Sequence, residues 1–306
     1  MLLSPARLNQ LLRSKGANTV VLDSTWFMPN SPRIAKAEFR AKRIPGSRFL
    51  DLDEVASPHE LGLKHMMPSE KVFGRACEKF GIGPSTQVVM YDTHGVFSSP
   101  RALFMFQSFG HRNSCILDGG LPRYEVEGFP LDTTEPLEVH VQDVKYPTPT
   151  LDSQAVRSYE QIVSNSSSNP FRVPGAELVL DARGRGRYLG TDPEPRPGLS
   201  SGHIPNSLSL PFNVFLQNNV TKDGSSYTTF LPQEQLRMAV VEAIGADKAD
   251  AVINGDVPVV ASCGSGMTAG VIWLGLQLLG VKQISIYDES WTGYSLRPSS
   301  KIEKSL

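Results

Sequence analysis

The sequence repeats one order of segments with an offset of about 170 residues. In each copy an apolar strand leads into a loop of small residues, an apolar helix that stops at a glycine, and a second strand that ends in aspartate. The paired landmarks are Asp92 and Cys263, Gly110 and Gly280, and Asp118 and Asp288. Short apolar strands that alternate with helices form parallel sheets flanked by helices. The repeat therefore predicts an α/β fold built from two tandem copies of one domain.

An extended segment separates the two copies. Residues 131–150 are rich in threonine and proline and show no helical period, which is typical of a linker. We predict a first domain at residues 1–130, a linker at 131–150 and a second domain at 151–306. The length of 306 residues agrees with two domains of roughly 150 residues each.

The charge balance and the cysteine content narrow the possible partners. Thirty basic and 31 acidic residues leave a formal net charge of −1, so we expect no direct contact with nucleic acid and no membrane partner. Cys77, Cys115 and Cys263 form no CxxC pair, so we expect free thiols and a reducing compartment. The scattered histidines and cysteines predict no metal site.

Two segments have features of membrane or targeting sequences. The stretch 257–281 carries no charge and is long enough to span a bilayer, but only residues 269–281 are typical of a buried helix. The N-terminus is basic with no acid before Asp23, as in a mitochondrial presequence. Ser4 and Pro5 nevertheless predict the start of a folded helix. We favour the folded helix and expect a cytoplasmic or mitochondrial location, or both.

The loop that begins at Cys263 carries the clearest chemical signal. It follows a strand, at the edge of a parallel sheet where ligands bind. Gly264 and Gly266 allow the backbone N–H groups to converge, and the next helix directs its positive end toward the same point. This environment favours a negative charge on sulfur and makes Cys263 a candidate nucleophile. Cys77 and Cys115 lie in helix-like and strand-like segments, so we interpret them as structural.

Two other motifs overlap this loop but fit it less well. Residues 264–269 match the dinucleotide pattern GxGxxG/A, with the acidic Asp288 downstream, but too few residues follow Asp288 to complete a nucleotide-binding sheet. A cysteine phosphatase needs an arginine six residues after the nucleophile, where this chain has Ala269. We therefore disfavour nucleotide binding and reject phosphoryl transfer.

Two tandem copies, a six-residue loop from Cys263 to Thr268, and Asp92 in place of cysteine in the first copy resemble the rhodanese family over nearly the whole chain. The resemblance implies two rhodanese-like domains and sulfur transfer through a persulfide on Cys263. The loop sequence Cys-Gly-Ser-Gly-Met-Thr is similar to that of the mercaptopyruvate-using branch, whereas thiosulfate enzymes typically carry arginine and lysine there. Thiosulfate is a dianion that benefits from loop cations, whereas mercaptopyruvate has one carboxylate.

The resemblance also implies residues that bind the substrate. The segment from Arg187 to Arg196 resembles the family's substrate segment, in which the two flanking arginines hold the carboxylate and keto oxygens of mercaptopyruvate. The substrate-binding residues implied in the loop are Gly264, Gly266, Met267 and Thr268. We interpret the neighbouring Arg183 and Arg185 as solvent-facing.

An Asp-His-Ser relay of the family maps onto Asp53, His65 and Ser265 of this chain. His65 lies in Lys-His-Met-Met-Pro, which is similar to the family's His-Met-Leu-Pro. Asp53 is one residue farther from the histidine than usual, so Asp51 is the alternative acid. The relay implies that Ser265, with His65, protonates the departing enolate. Trp291 is expected to pack near the mouth of the site.

We therefore expect the chain to move sulfane sulfur from 3-mercaptopyruvate to a thiol through Cys263, with release of pyruvate and without an organic cofactor. Thioredoxin, another small thiol or a sulfur-relay protein is the expected acceptor, and we expect a monomer. One alternative is a thiosulfate:cyanide sulfurtransferase, and another is a persulfide carrier for a protein partner, as in tRNA thiolation. A third is a scaffold of inactive modules, in which Cys263 would be unreactive.

Overall fold

The computed structural model describes residues 1–14, 16, 18–136 and 144–305, so part of the predicted linker, 137–143, lies outside the described residues. The chain divides into two compact units. Unit 1 comprises Met1–Ser57, Met67–Leu151 and Gln217–Phe230, and unit 2 comprises Pro58–Met66, Asp152–Leu216 and Leu231–Leu306.

Unit 1 is built around a five-stranded parallel sheet. Its strands are β1 (Leu2–Leu3), β2 (Thr19–Asp23), β3 (Arg48–Phe49), β4 (Gln87–Tyr91) and β5 (Ser114–Leu117). Its helices are α1 (Pro5–Arg13), α2 (Ala35–Ala41), α3 (Glu70–Lys79), α4 (Ser99–Ser108) and α5 (Gly120–Val126). The strands lie in the order β1-β5-β4-β2-β3, with every recorded pair parallel. The last four residues of β2 and of β4 are all buried, so both faces of the sheet are covered.

Unit 2 repeats this arrangement. The remaining strands are β6 (Val156–Arg157), β7 (Leu178–Asp181), β8 (Leu208–Ser209), β9 (Leu216–Val220), β10 (Ser226–Phe230), β11 (Val259–Ser262) and β12 (Ile284–Tyr287). The remaining helices are α6 (Tyr159–Asn165), α7 (Arg185–Leu189), α8 (Gln233–Ile244), α9 (Ala246–Asn254), α10 (Ala269–Leu278) and α11 (Ser290–Leu296), with a 3₁₀ helix at Phe212–Phe215. The parallel sheet of unit 2 has the order β6-β12-β11-β7-β8, which matches that of unit 1 strand for strand. The prediction of two α/β copies is confirmed.

Each unit also contains a short segment from the other half of the sequence. The two-stranded sheet of β9 and β10 belongs almost entirely to unit 1, where the Phe230 N–H donates to Asp118 Oδ1 at 3.0 Å. The segment Pro58–Met66 belongs to unit 2, where His59 Nε2 lies 3.5 Å from Glu289 Oε1. The two units therefore cannot be separated at a single position in the sequence.

The segments with targeting or membrane features are ordinary folded elements. Ser4 caps α1 by accepting the Arg7 N–H at 3.3 Å, and Pro5 is the first helical residue, as predicted. The uncharged stretch contains β11, the Cys263 loop and α10, whose first eight residues are all buried. Among the described residues, every helix is too short or too polar to cross a bilayer.

Candidate active site

Cys263 is the first residue after β11, in the centre of the sheet of unit 2. The side chain is buried, with 2% of the residue exposed. Helix α11 holds its peptide from two sides, because the Cys263 N–H donates to Ser290 Oγ at 3.0 Å and the Trp291 N–H donates to the Cys263 carbonyl at 2.9 Å. Gly264 and Ser265 next to it are partly exposed. The thiol is therefore enclosed, and the loop residues beside it face solvent in part.

The loop after Cys263 contains a run of backbone N–H donors. Among the described residues, none accepts a hydrogen bond from the amide N–H groups of residues 264–268. Gly266 has φ +83, a conformation that glycine adopts without strain, and α10 begins three residues later at Ala269. Free N–H groups at the start of a helix form a site that favours an anion.

The corresponding loop of unit 1 contains its own anion. Asp92 replaces the cysteine, and its Oδ2 accepts the N–H groups of Phe97, Ser98 and Ser99 at 2.9, 3.0 and 2.9 Å. The same oxygen accepts the Ser99 hydroxyl at 2.7 Å. A carboxylate thus binds backbone N–H groups at the start of the helix that follows this loop in unit 1. The repeat itself indicates that this loop geometry binds negative charge.

Two arginines converge on the Cys263 loop. A Cβ placed on Gly264 would lie 3.2 Å from Arg187 Nη2 and 3.4 Å from Arg196 Nη1. Arg187 is in α7, and Arg196 follows it in a proline-rich loop. The structure therefore brings Arg187 and Arg196 to the residue after Cys263, which is far from both arginines in sequence. Two guanidinium groups next to open N–H donors can hold a carboxylate or another small anion.

The interpretation of Arg183 as solvent-facing is wrong, whereas Arg185 is exposed as predicted. Arg183 is 2% exposed, and its guanidinium lies 4.1 Å from the centroid of the Trp291 ring. Its Nη2 donates to Asp181 Oδ2 at 2.6 Å and its Nη1 to Glu194 Oε1 at 2.7 Å. Burial opposes the charge, but these two carboxylates raise the pKa of Arg183 above its usual value. The two carboxylates offset the free-energy cost of burying the charged arginine.

Trp291 lies deeper than the sequence predicts. It is fully buried, and its indole N–H donates to the Ser200 carbonyl at 2.9 Å. Its ring stacks against Tyr294 with centroids 5.8 Å apart. Trp291 therefore belongs to the core beneath the loop.

His65 reaches the Cys263 loop within unit 2. Its Nε2 lies 2.7 Å from the carbonyl oxygen of Ser265, and the residue is 3% exposed. Because a carbonyl only accepts, this contact assigns the proton to Nε2. The bond goes to the backbone of Ser265, whereas the relay requires its hydroxyl. His65 and Ser265 are thus neighbours, as the relay needs, through a different atom.

Asp53 lies in unit 1, where its Oδ2 accepts the Trp26 indole N–H at 3.4 Å. The alternative acid, Asp51, accepts the backbone N–H groups of Asp53 and Glu54 and lies 3.2 Å from Lys36 Nζ. Both carboxylates therefore have partners within their own unit. The role of Asp53 in a relay remains a prediction.

The other two cysteines have the structural surroundings that their segments predict. Cys77 is buried in α3, and Cys115 is partly buried in β5. Burial raises the pKa of the Cys77 thiol far above its usual value and that of Cys115 to about 11. Both shifts disfavour the thiolate, which is the nucleophilic form, at neutral pH.

Three residues of the site were not among the predicted site residues. Ser290 and Thr292 hold the peptides around Cys263, since the Thr292 N–H and hydroxyl donate to the Gly264 carbonyl at 2.9 and 2.6 Å. Glu194 binds Arg187 through Arg187 Nε, at 3.1 Å. The acidic residue seven positions after Arg187 was a usable signal for this pair, whereas the φ of +51 at Ser290 has no signature in the sequence.

Comparison with known proteins agrees with this architecture. The model of the rhodanese-like domain matches the chain twice, at residues 4–127 and 168–297. The chain therefore belongs to the rhodanese family, and its relatives place it among the sulfurtransferases of that family. The probable 3-mercaptopyruvate sulfurtransferase of Schizosaccharomyces pombe is 36% identical over 288 residues, covering 94% of this chain and 90% of the relative.

Two further relatives differ from the first in name. The thiosulfate sulfurtransferase of Mus musculus is 36% identical over 297 residues, covering 94% of this chain and 90% of the relative. The sulfur transferase subunit seen at sub-stoichiometric occupancy in yeast mitochondrial complex I is 32% identical, with a TM-score of 0.82. The match covers 100% of this chain and 99% of that subunit. The resemblance to the rhodanese family is confirmed.

Proposed function

We propose that this sulfurtransferase takes sulfur from 3-mercaptopyruvate and passes it to a thiol through a persulfide on Cys263. The Cys263 thiolate attacks the thiol sulfur of the donor, and the carbon–sulfur bond breaks with its electron pair going to the pyruvate enolate. The transferred sulfur gives up its thiol proton and stays on Cys263 as a persulfide anion, while the enolate takes up one proton and leaves as pyruvate. A thiolate acceptor then attacks the outer sulfur and restores the Cys263 thiolate.

The convergence of Arg187 and Arg196 on Gly264 is the observation that carries this proposal. Mercaptopyruvate presents a carboxylate and a keto oxygen on adjacent carbons, which two guanidinium groups can bind at the same time. Both guanidinium groups lie within 3.4 Å of the Cβ position of Gly264, the residue after the nucleophile. A donor held there has its sulfur next to Cys263. We infer that the α-keto acid enters from the partly exposed side of Gly264 and Ser265.

The open N–H groups of residues 264–268 support the persulfide step. A persulfide that is an anion needs hydrogen-bond donors directed at its outer sulfur. The carboxylate of Asp92 takes three backbone N–H groups at the equivalent place in unit 1, which supports the same preference in unit 2. We assign delivery of the proton to the enolate to the Ser265 hydroxyl, which takes up in turn the proton that the donor thiol releases. The bond from His65 to the Ser265 carbonyl fixes that part of the loop.

The experiment is the intact mass of the protein after incubation with 3-mercaptopyruvate in the absence of an acceptor. The wild-type chain should gain the mass of one sulfur atom, and Cys263→Ala should gain none. Cys115→Ala is the matched control, because Cys115 is a thiol outside the site, and it should gain sulfur as the wild type does. Absence of any gain in the wild type, with pyruvate not released, would falsify the proposal.

Two relatives support second candidates that use the same nucleophile. Similarity to a thiosulfate sulfurtransferase supports thiosulfate as the donor, and a higher kcat/KM for thiosulfate than for mercaptopyruvate would decide for it. Similarity to a sulfur transferase subunit of a mitochondrial complex supports transfer to a protein partner and a mitochondrial location. That function requires sulfur to pass to a protein thiol, such as thioredoxin, faster than to dithiothreitol.

A further inference from the structure

Four charged side chains form a continuous network behind the Cys263 loop. Asp181 binds Arg183, Arg183 binds Glu194, and Glu194 binds Arg187. Glu194 accepts the Arg183 Nη1–H at 2.7 Å and the Arg187 Nε–H at 3.1 Å on Oε1, and it accepts the Arg187 Nη2–H on Oε2 at 2.5 Å. Both carboxylate oxygens of Glu194 are thus occupied by arginine. The network contains two positive and two negative charges, so its sum is zero.

Burial differs sharply along this network. The side chain of Glu194 is 1% exposed, whereas that of Arg187 is 23% exposed. Arg187 therefore has one edge bound to a buried carboxylate and another part open toward the loop. The same Nη2 that binds Glu194 lies 3.2 Å from the Cβ position of Gly264. Only the Arg187 guanidinium therefore separates an anion bound next to Gly264 from the Glu194 carboxylate.

This geometry has two consequences for a donor. The fork of hydrogen bonds to Glu194 fixes the plane of the Arg187 guanidinium, so that little side-chain entropy is lost when a donor binds. The negative charge of Glu194 also repels the bound anion, and the repulsion grows with the charge on that anion. A monoanion such as mercaptopyruvate is affected less than a dianion such as thiosulfate.

Resting on the function proposed above, we propose that Glu194 is a positioning residue that also selects the donor. It holds Arg187 toward Gly264, and it lowers the affinity of the site for dianionic donors relative to α-keto monoanions. The selectivity of the chain then depends on a buried acid behind the substrate arginine as well as on the cations of the loop.

The test compares Glu194→Gln with the wild type, with dithiothreitol as the acceptor for both donors. The ratio of kcat/KM for thiosulfate to kcat/KM for mercaptopyruvate should rise about tenfold, because one unit charge close to the donor is removed in a partly solvated site. Asp192→Asn is the matched control, since it removes an exposed carboxylate from the same loop. Its ratio should stay within about twofold of the wild type, as expected for a solvent-screened charge.

Glu194→Asp separates geometry from charge and covers the case in which Glu194→Gln fails to fold. It keeps the negative charge but shortens the side chain, so KM should rise for both donors while their kcat/KM ratio stays the same. An unchanged ratio in folded Glu194→Gln, or unchanged KM values in Glu194→Asp, would overturn the inference alone. If the wild type takes sulfur from neither donor, the proposed function fails, and the inference fails with it.

Discussion

Each copy of the fold has a buried aspartate at the same position, but its partner is a threonine in unit 1 and an arginine in unit 2. This difference predicts that the stability of unit 1 depends on pH. Asp23 ends β2 and Asp181 ends β7, and both are buried. Two residues later unit 2 has Arg183, which pairs with Asp181, whereas unit 1 has Thr25. Thr25 donates its N–H to Asp23 Oδ1 at 2.9 Å and its hydroxyl to the same atom at 2.5 Å. These bonds only partly offset burial, which raises the pKa of Asp23 to about 7.

The size of the effect follows from the pKa of Asp23. In the unfolded chain its carboxyl has the ordinary value of 3.8, so the folded state binds the proton more tightly. No free energy is lost at a pH below 3.8, where both states are protonated. Stability falls as the pH rises from there to about 7, by at most about 4 kcal/mol, and is constant above. Asp23→Asn keeps an acceptor for Thr25 and removes this loss.

The assay is urea unfolding followed by hydrogen-exchange mass spectrometry, so that peptides from β2 and β4 report on unit 1 and peptides from β7 and β11 on unit 2. Asp23→Asn should equal the wild type near about pH 4 and exceed it in the free energy of unfolding of unit 1 near about pH 8. Asp181→Asn should instead destabilise unit 2 by about 3 kcal/mol at neutral pH, because Arg183 stays buried and charged. If the advantage of Asp23→Asn is the same at both pH values, the assignment of this titration to Asp23 is refuted.

Three further predictions concern the loops and the thiols. Ser290→Ala should destabilise unit 2 by about 2–4 kcal/mol in urea unfolding, because the Cys263 N–H and the Tyr287 carbonyl lose a buried partner. Ser290→Gly should lose about 1 kcal/mol less than Ser290→Ala, because the φ of this residue is +51. A glycine variant less stable than the alanine variant would contradict this role of the backbone conformation. Asp92→Ala should lower the unfolding free energy of unit 1 by about 3 kcal/mol, and added sulfate should recover part of it by occupying the vacated donors. Iodoacetamide at neutral pH should label Cys115 about a hundredfold more slowly than an unperturbed thiol, as peptide mass spectrometry would measure; equal labelling would refute the raised pKa.

The architecture could be predicted from the sequence because the residues that end the strands and helices recur at the same spacing in both copies. Asp92 and Cys263 both end up directly after the central strands β4 and β11, as the common offset requires. The two sheets then have the same strand order, which follows from the same order of segments. Loops at the carboxyl ends of such strands are the usual place for ligands, so the position of Cys263 was also predictable.

The pairing of charged side chains was not predictable in the same way. Arg183 looked solvent-facing because arginine usually is, but folding brings Asp181 and Glu194 to its guanidinium. Whether an arginine is buried depends on the carboxylates that reach it, and Glu194 is eleven positions away in a loop without a regular period. His65 illustrates the same limit, because the motif predicts a neighbour of Ser265 but does not determine which of its atoms accepts the bond.

The segments that each unit takes from the other half of the sequence affect how the chain is made. Unit 1 includes Gln217–Phe230, so it cannot be complete on the ribosome until Phe230 has left the exit tunnel. Unit 2 in turn uses Pro58–Met66, residues synthesised before most of unit 1 exists. Neither half expressed alone would contain every piece of its own unit. Both units can therefore be completed only late in the synthesis of the chain. Gene fragments divided between the repeats should yield incompletely folded products.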